Sequence, residues 1–361
     1  MSLVSDTVQS VKSGIGTSAP RPDAQDKVQG EFIFSSDLSS DGMLWGQTLR
    51  SPHASAKILS IDISEALTIS GVHAILTADD VPGKNIFGLE RTDQPVLASD
   101  CVRYVGEPIA IVAADHPEIA RKATDAIRVD YAILSPLVDS YLAIAADPIH
   151  PEGNVIRHLT IRHGDSEATG DVAVEGEYEI GMQDQAFMGT ESGMAIPTQD
   201  GGIELHISTQ WLHSDQEQVA TALNMPKELV RVTLSGVGGA FGGREDVSMH
   251  VHLCMLALHT GKPVKMIYDR NESFLGHVHR HPAKVWFRHH ANNDGALVNV
   301  EAKIIMDGGA YASTTSAVLA NACCFSIGPY KVQNAFVEGW GVRTNNPPCG
   351  AMRGFGNVQT C

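Results

Sequence analysis

A glycine-rich turn is the segment of this chain best suited to chemistry. Residues 235–245 read Ser-Gly-Val-Gly-Gly-Ala-Phe-Gly-Gly-Arg-Glu, with five glycines in eleven positions. Glycine permits positive φ angles and lets backbone N–H groups approach a ligand closely, so this turn can cradle an oxyanion or a phosphate-bearing cofactor. Phe241, Arg244 and Glu245 add an aromatic ring and two charges. A purely structural turn is the alternative interpretation.

The turn is predicted to join a strand to a helix. Residues 229–234 alternate like a strand, and apolar residues from position 247 to 258 follow helical spacing until Gly261 and Pro263 end the pattern. A helix N-terminus after such a turn favours an anionic ligand, as in dinucleotide-binding folds. However, Phe241 stands where the third glycine of G-x-G-x-x-G is required, which disfavours a nucleotide-binding protein.

Composition restricts the possible partners and the compartment. With 361 residues the chain is long enough for two or three domains, and its 26 basic and 42 acidic residues give a formal net charge of -16. This charge argues against binding nucleic acid or an anionic membrane. The six cysteines lack C-x-x-C spacing, residues 1–22 lack an apolar core, and no segment is apolar enough to span a bilayer. We therefore predict a cytoplasmic protein.

The remaining elements follow from periodicity. Strands are predicted in the first region at residues 44–49, 57–63, 72–76 and 108–113, with a helix at 117–127. In the second region, a capping-box pattern at 214–217 opens a helix to residue 223, and strands are predicted at 203–207, 263–268, 283–290 and 296–306. Between the regions, a linker is predicted over residues 139–171, where the stretch 143–154 contains two prolines and little periodicity.

Two further segments accompany the glycine turn. Ser208-Thr209-Gln210 follows a strand, and residues 345–356 read Asn-Asn-Pro-Pro-Cys-Gly-Ala-Met-Arg-Gly-Phe-Gly. Together the three segments resemble the molybdopterin-binding large subunit of the xanthine dehydrogenase and aldehyde oxidase family. Arg-Ser-Pro-His-Ala at 50–54, Tyr-Val-Gly-Glu-Pro at 104–108 and Asp-Gly-Gly-Ala-Tyr at 307–311 extend the resemblance over nearly the whole chain. These molybdenum hydroxylases oxidise heteroaromatic rings or aldehydes with water as the oxygen source.

The resemblance implies an α+β fold with two domains. After a lead-in segment at residues 1–25, residues 26–138 are similar to the family's α/β hammerhead domain. Residues 172–361, after the linker, are similar to the first part of its molybdopterin-binding domain, here truncated.

The same resemblance assigns roles to residues of the three segments. Gln210 matches the glutamine that hydrogen-bonds an oxygen on molybdenum, and Gly239, Phe241 and Gly242 match the turn that lies against the metal and the pterin dithiolene. Arg353 resembles the residue beside the cofactor. An amide donor and backbone N–H groups in a dry site can orient a metal oxygen and stabilise developing negative charge.

Three residues are implied to contact the substrate. Glu245 matches the glutamate that hydrogen-bonds the ring in purine-oxidising members, whereas aldehyde-oxidising relatives tend to carry an apolar residue there. A silent glutamate at a helix N-terminus is the alternative. Phe355 resembles the aromatic residue that sandwiches a flat substrate. Asn321 stands at the position where xanthine oxidases carry an arginine, their second substrate-orienting residue. The neutral amide of asparagine cannot stabilise anionic charge on a purine oxygen as a guanidinium does. The resemblance thus favours an N-heterocycle that is hypoxanthine-like or different from xanthine.

Histidines at positions 277, 279 and 281 alternate, so a strand would place all three on one face. Because no acidic residue stands at a fixed spacing from them, we predict no metal site and expect solvated or hydrogen-bonded histidines.

In this family the large subunit is about twice as long, and its second half carries the general-base glutamate and further pterin contacts. The chain is therefore expected to be the N-terminal half, a truncation or one piece of a split subunit. The molybdopterin is expected either in its simple form or in its cytosine dinucleotide form. The resemblance also implies two partner chains, an iron-sulfur subunit with 2Fe-2S centres and an FAD subunit. The alternative is a non-catalytic fragment that only folds and binds partner subunits or part of the cofactor.

Overall fold

The computed structural model describes residues 14–361, so that the first thirteen residues of the predicted lead-in lie outside the described part. Within this part the helices are α1 Ala24–Gln29, α2 Ser64–Leu67, α3 Pro117–Ala126, α4 Ser140–Ala143, α5 Leu212–Leu223, α6 His250–Thr260, α7 Arg270–Gly276, α8 Thr315–Phe325 and α9 Asn357–Thr360. The strands are β1 Leu44–Arg50, β2 Ala56–Asp62, β3 Val72–Leu76, β4 Cys101–Val102, β5 Pro108–Ala114, β6 Arg128–Ile133, β7 Val155–His163, β8 Val172–Ile180, β9 Ser192–Pro197, β10 Ile203–Ile207, β11 Val230–Leu234, β12 Val264–Ile267, β13 His279–Arg280, β14 Ala283–Ala291, β15 Leu297–Asp307, β16 Asn334–Val342 and β17 Cys349–Gly350.

A seven-stranded sheet joins the two halves of the sequence. Its strand order is β11-β10-β9-β12-β1-β5-β3, so three strands from the first region continue a sheet of four strands from the second. The junction is the parallel pair β1 and β12, in which Leu44 lies opposite Val264. On its other side β1 pairs antiparallel with β5. The fold is therefore continuous across the predicted domain boundary.

Helix α6 forms the centre of the largest hydrophobic core. All residues from His250 to Ala257 are buried, because the helix packs on β9, β10 and β12 and also against α5. A helix that is apolar on every side must be enclosed by other elements. The core that surrounds it includes Leu205, Met255 and Met266, each at most 2% exposed. This core anchors strand β11, which precedes the glycine turn, and helix α6, which follows it.

A second sheet has five strands in the order β7-β16-β15-β14-β8. The predicted hairpin is confirmed, since β14 pairs antiparallel with β15 from Ala283 opposite Met306. Helix α8 covers this sheet with Val318, Leu319 and Cys323. The segment 139–171 predicted to be a linker differs from that expectation: it contains α4 and the nine-residue strand β7, which pairs with β16. Strand β7 of this segment is therefore the edge strand of the second sheet, beside β16.

The N-terminal region also contains the small sheet β4-β2-β6, and α3 packs on β1 and β5. A buried charge cluster fastens this region to the rest of the chain. Arg343 is fully buried, and its guanidinium donates to Asp93 Oδ2 at 2.8 Å and to Glu152 Oε2 at 3.1 Å. Asp93 also accepts from Ala312 N at 3.0 Å. Such a pair needs both partners, because an unpaired buried charge is strongly destabilising.

Two predicted helix starts are wrong. Helix α5 begins at Leu212 rather than Ser214 and has no side-chain cap, because Trp211 N donates to Thr209 Oγ1 and the chain turns earlier. Helix α6 begins at His250 rather than near Asp246, whose Oδ2 accepts from Ser313 Oγ at 3.0 Å.

Across residues 14–361, none of the helices combines the length and apolarity that crossing a bilayer requires.

Candidate active site

One cavity brings together most of the residues that the sequence singled out. It has a volume of about 740 Å³, and six predicted site residues line it: Gln210, Phe241, Gly242, Glu245, Arg353 and Phe355. They come from three separate segments of the chain. The spacing of these segments in the sequence is large, so the fold itself creates the site.

The glycine turn adopts the left-handed backbone that its composition allows. Gly239 has φ +111° and Gly242 has φ +101°. A Cβ on Gly242 would lie 2.6 Å from the carbonyl oxygen of Ala351, so the turn and the segment at 351–356 are in direct backbone contact. Only glycine meets both requirements at this position.

Arg244 holds the glycine turn in place from the side that faces the protein interior, away from the cavity. Its side chain is largely buried, its Nε donates to Gly239 O at 2.9 Å, and its terminal nitrogen donates to Gly189 O. The guanidinium also lies 4.3 Å from the ring centroid of Phe187. Burial lowers the pKa of Arg244. Arg244 therefore fixes the turn and does not project into the cavity.

Gln210 is oriented by the backbone of the same turn. Its Oε1 accepts from Gly242 N at 3.1 Å and from Arg244 N at 3.3 Å. Its Nε2 has no hydrogen-bond partner among residues 14–361, and the residue lines the cavity. The carboxamide therefore offers N–H donors to a bound ligand.

Two aromatic residues of the cavity have strained backbones. Phe241 has φ +52° and Phe355 has φ +45°, although neither is glycine. Arg353 N donates to Phe241 O at 2.8 Å, and the Arg353 guanidinium lies 5.3 Å from the Phe241 ring centroid. Positive φ in bulky residues costs free energy and concentrates at functional sites. These two strained residues and Arg353 line the cavity together.

Two carboxylates face the same cavity. Glu245 is partly buried, and burial raises its pKa. Glu90 belongs to the loop after β3, and its Oε1 accepts from Ala317 N at 3.2 Å, in the first turn of α8. With Arg353, these side chains give the cavity two acidic groups and one basic group. The loop carrying Glu90 also contributes Leu89, so the N-terminal region completes the cavity wall.

Two predicted site residues lie outside the lining of the cavity. Gly239 is in the turn, where its carbonyl oxygen accepts a hydrogen bond from Arg244 Nε and where a Cβ would lie 3.0 Å from the Cβ of Phe187. Asn321 is partly buried on α8, one turn beyond Ala317. The other lining residues were not predicted as site residues: Leu89, Glu90, Trp211, Ser214, Thr314, Ala317, Ala351 and Met352. Trp211, Ala351 and Met352 adjoin predicted residues and could have been found in that way, whereas Glu90 has no local signal.

The three alternating histidines are buried rather than solvated. His277 and His279 stack with ring centroids 5.2 Å apart and lie beside Asp184, whereas the Nε2 of His281 is 2.9 Å from Thr315 Oγ1. Of the three, only His279 lies in a strand, because β13 contains His279 and Arg280, and hydrogen bonding is seen for His277 and His281. Burial lowers the pKa of His281 to about 3.

This fold and site define a class of protein: a hammerhead region joined to a cofactor-binding region with a glycine-turn wall. The family described as aldehyde oxidase and xanthine dehydrogenase, a/b hammerhead domain, matches residues 29–135, and the molybdopterin cofactor-binding domain matches residues 149–361. The chain therefore belongs to the xanthine dehydrogenase and aldehyde oxidase family of molybdenum hydroxylases. The predicted family and fold class are confirmed.

Similar proteins agree with this assignment. The chain is 39% identical to a probable xanthine dehydrogenase subunit of Bacillus subtilis, over 94% of this chain and 46% of that protein. It is 37% identical to the nicotinate dehydrogenase large molybdopterin subunit of Eubacterium barkeri, over 96% of this chain and 82% of that subunit. The solved structure of aldehyde oxidoreductase from Desulfovibrio gigas matches with a TM-score of 0.91 at 28% identity, over 94% of this chain and 40% of that one. The chain thus spans less than half the length of two of these proteins.

The donor groups at the cavity fit one side of a molybdenum cofactor. Gln210 Nε2 and the Arg353 guanidinium make no hydrogen bond to any residue in 14–361, and both belong to lining residues. Amide and guanidinium donors suit the oxygen acceptors of an anionic cofactor. Phe241, 44% exposed, adds an apolar surface beside them.

Proposed function

We propose that this chain is the N-terminal half of the catalytic large subunit of a xanthine dehydrogenase-like enzyme, which hydroxylates a purine or related N-heterocycle with water. The observation that carries the proposal is the shared cavity, in which Glu245 faces the same space as Gln210, Phe241 and Phe355. Two relatives bear the names of N-heterocycles, xanthine and nicotinate.

Gln210, Phe241, Gly242 and Arg353 would hold the molybdopterin, in its simple or cytosine dinucleotide form. When bound, this cofactor supplies the two-electron redox centre at which oxygen from water reaches the substrate. Gln210 would orient an acceptor atom through Nε2, because its Oε1 is already held by the turn. Preorganised donors of this kind need no rearrangement during the reaction.

Glu245 would orient the substrate ring. A carboxylate accepts a hydrogen bond from a ring N–H, and when protonated it can donate one to a ring nitrogen. Burial raises the pKa of Glu245, so its protonated form persists to higher pH than in an exposed glutamate. Glu245 can thus select among ring tautomers.

The aromatic rings would fix the plane of the substrate. Phe355 and Phe241 line the cavity on strained backbones, and Trp211, 48% exposed, lies beside Gln210. Offset or edge contacts with such rings stabilise the binding of a flat heterocycle.

Asn321 does not line the cavity, so it would act on the substrate from outside this lining. Its neutral amide favours a ring without a strongly anionic oxygen.

The remaining machinery is proposed to lie elsewhere. A general-base glutamate would come from the C-terminal half of the large subunit, and 2Fe-2S and FAD from an iron-sulfur subunit and an FAD subunit. All six cysteines of the chain are free thiols. We infer that the protein works in the reducing cytoplasm, where such thiols persist.

Substitution of Glu245 in the complete enzyme tests the proposal. We expect Glu245→Gln and Glu245→Ala to lower kcat/KM on hypoxanthine by roughly 10- to 100-fold, since each removes a charged hydrogen bond worth about 1.5–3 kcal/mol. Molybdenum content should stay near that of the unchanged enzyme. Kinetics with an artificial electron acceptor and metal analysis of the same samples measure both.

Other results would contradict the proposal. If the Glu245 variants lost molybdenum and activity equally, Glu245 would be assigned to cofactor binding. If their turnover were undiminished, Glu245 would have no role in orienting the substrate. If the unchanged enzyme contains neither molybdenum nor pterin and oxidises no heterocycle, the chain is a non-catalytic fragment.

A further inference from the structure

A second cluster of ligand-type side chains lies on the protein side of the glycine turn. Asp184 Oδ2 is 3.1 Å from His277 Nε2 and 3.4 Å from His279 Nε2, and one ligand atom from each residue lies within 4.8 Å of the others. The His277 and His279 side chains are 2% and 6% exposed, and that of Asp184 is 15% exposed. The three side chains therefore converge in a mostly dry space.

The hydrogen bonds around His277 orient its Nε2 toward this space. His277 Nδ1 lies 2.5 Å from the backbone carbonyl oxygen of Ser273, which holds a proton on Nδ1. Histidine ligands of metals commonly donate their other ring N–H to a carbonyl or carboxylate in this way. The lone pair of His277 Nε2 then points at the cluster.

Gln185 supplies a fourth donor atom. Its Nε2 donates to Ala351 O at 2.7 Å, so its Oε1 is turned toward His277 Nε2, 3.2 Å away. Asp184 Oδ2 is buried and has no hydrogen-bond partner among residues 14–361. With Nδ1 protonated, four electron-pair donors face one another. A proton on His277 Nε2 can satisfy one of these contacts, whereas a cation can satisfy all four.

The spacing of the donors suits zinc. Bonds of about 2.0–2.1 Å in a tetrahedron place neighbouring donor atoms roughly 3.3 Å apart. Three of the six distances between these donor atoms are 3.1, 3.2 and 3.4 Å. Two imidazoles, one carboxylate and one amide oxygen form a mixed nitrogen and oxygen set of the kind that Zn²⁺ accepts.

We propose that Asp184, His277 and His279, with the amide oxygen of Gln185, bind a structural Zn²⁺ ion. The site lies directly behind the turn: a Cβ on Gly243 would be 2.9 Å from the Gln185 carboxamide carbon, and the Phe187 ring centroid is 5.0 Å from that of His277. Zinc at this position joins the segment at 184–187 to the segment at 277–279, which runs from the end of α7 into β13. It stiffens the support of the cavity wall without entering the cavity.

A proton is the competing occupant. Burial alone would lower the pKa of His277, but its contacts with Asp184 and Glu191 outweigh burial and raise the pKa to about 9. In the metal-free site, a proton on His277 Nε2 would lie between this nitrogen and Asp184 Oδ2, 3.1 Å away. Zinc must displace this proton, so binding releases protons to the solvent.

Zinc titration of the full chain, first treated with a chelator and dialysed, tests the proposal. We expect one Zn²⁺ per chain by calorimetry and by metal analysis after removal of free ion. His279→Gln and Asp184→Asn should each weaken binding at least tenfold. His259→Gln replaces an exposed histidine at the end of α6 and should bind zinc as the unchanged chain does.

Co²⁺ provides a second measurement that does not depend on one variant folding. Tetrahedral Co²⁺ at this site should give intense d–d absorption in the unchanged chain and in His259→Gln, but not in His279→Gln. Circular dichroism checks that each variant is folded. Failure of the unchanged chain to retain zinc, or equal zinc binding by folded His279→Gln, would overturn the proposal and leave the proton as the occupant.

Discussion

Gln210 is proposed to serve both the protein and a ligand with one side chain. Its oxygen accepts from two backbone N–H groups of the glycine turn, and the residue lines the cavity. The two functions can be separated by substitution, because glutamate keeps the oxygen acceptor and lacks the N–H donors.

We therefore expect different results for Gln210→Glu and Gln210→Ala in the complete enzyme. Gln210→Glu should keep the turn in place but lower kcat/KM by roughly 100-fold, as the loss of one preorganised donor does. Gln210→Ala should lower turnover similarly and also cost about 1–3 kcal/mol of stability, because two backbone donors lose their partner. Steady-state kinetics and urea unfolding measure the two effects. Unchanged turnover of Gln210→Glu would exclude a donor role.

At this scale most of the site residues predicted from local motifs line one cavity, whereas other lining residues escaped prediction. Gln210, Glu245 and Arg353 stand in motifs whose residue types can be read directly. Asp184 and Glu90 could not be found, because their partners lie far away in the chain and no spacing rule connects them. Long-range contacts of single side chains leave no periodic pattern.

Among the elements, the glycine turn depends most on its exact backbone. Gly242 combines a φ of +101° with backbone contact to Ala351. Gly261, which ends α6, has φ +65° but nothing within 4 Å of the position of a Cβ. The second glycine is thus a matched control for the cost of positive φ alone.

Gly261→Ala should cost about 1–2 kcal/mol of unfolding free energy, the penalty of a left-handed alanine. Gly242→Ala should cost at least about 2 kcal/mol more, because its methyl group must displace the carbonyl of Ala351. Urea unfolding of both variants measures the difference, and molybdenum content of the complete enzyme should fall only for Gly242→Ala. Equal costs would show that the turn can shift freely.

Element types were predictable where burial imposes a simple period. Strand β10 was predicted with its exact bounds, and the strand that leads into the glycine turn was found within one residue, because alternation is strong in both. The starts of α5 and α6 were not predictable, since side-chain hydrogen bonds of Thr209 with Trp211 N and of Asp246 with the distant Ser313 decide them. Strand β7 was missed because its neighbours are rich in turn residues.

The whole molecule depends on contacts between its two regions. The buried pair of Arg343 and Asp93 links the loop after β3 to the end of β16. A contrasting pair, Arg128 and Glu65, lies on the surface with side chains 75% and 59% exposed. The two pairs allow a comparison of a buried and an exposed ion pair in one protein.

Asp93→Asn should lower the free energy of unfolding by about 3 kcal/mol, because it leaves the Arg343 charge in a dry environment with only part of its hydrogen bonding. Glu65→Gln should cost less than about 1 kcal/mol, since exposed pairs contribute little. Chemical denaturation of both variants at one salt concentration checks this. Similar losses in the two variants would mean that water reaches Arg343.

The shared seven-stranded sheet has a consequence for synthesis on the ribosome. Strand β1 needs β12 as its neighbour, and the paired residues Leu44 and Val264 are about 220 positions apart. At a translation rate of roughly 5–20 residues per second, one edge of β1 stays unpaired for on the order of ten to forty seconds. An open strand edge invites pairing with other chains. Slow codons before β12 should therefore increase aggregation of the nascent protein, and chaperones that shield strand edges should reduce it.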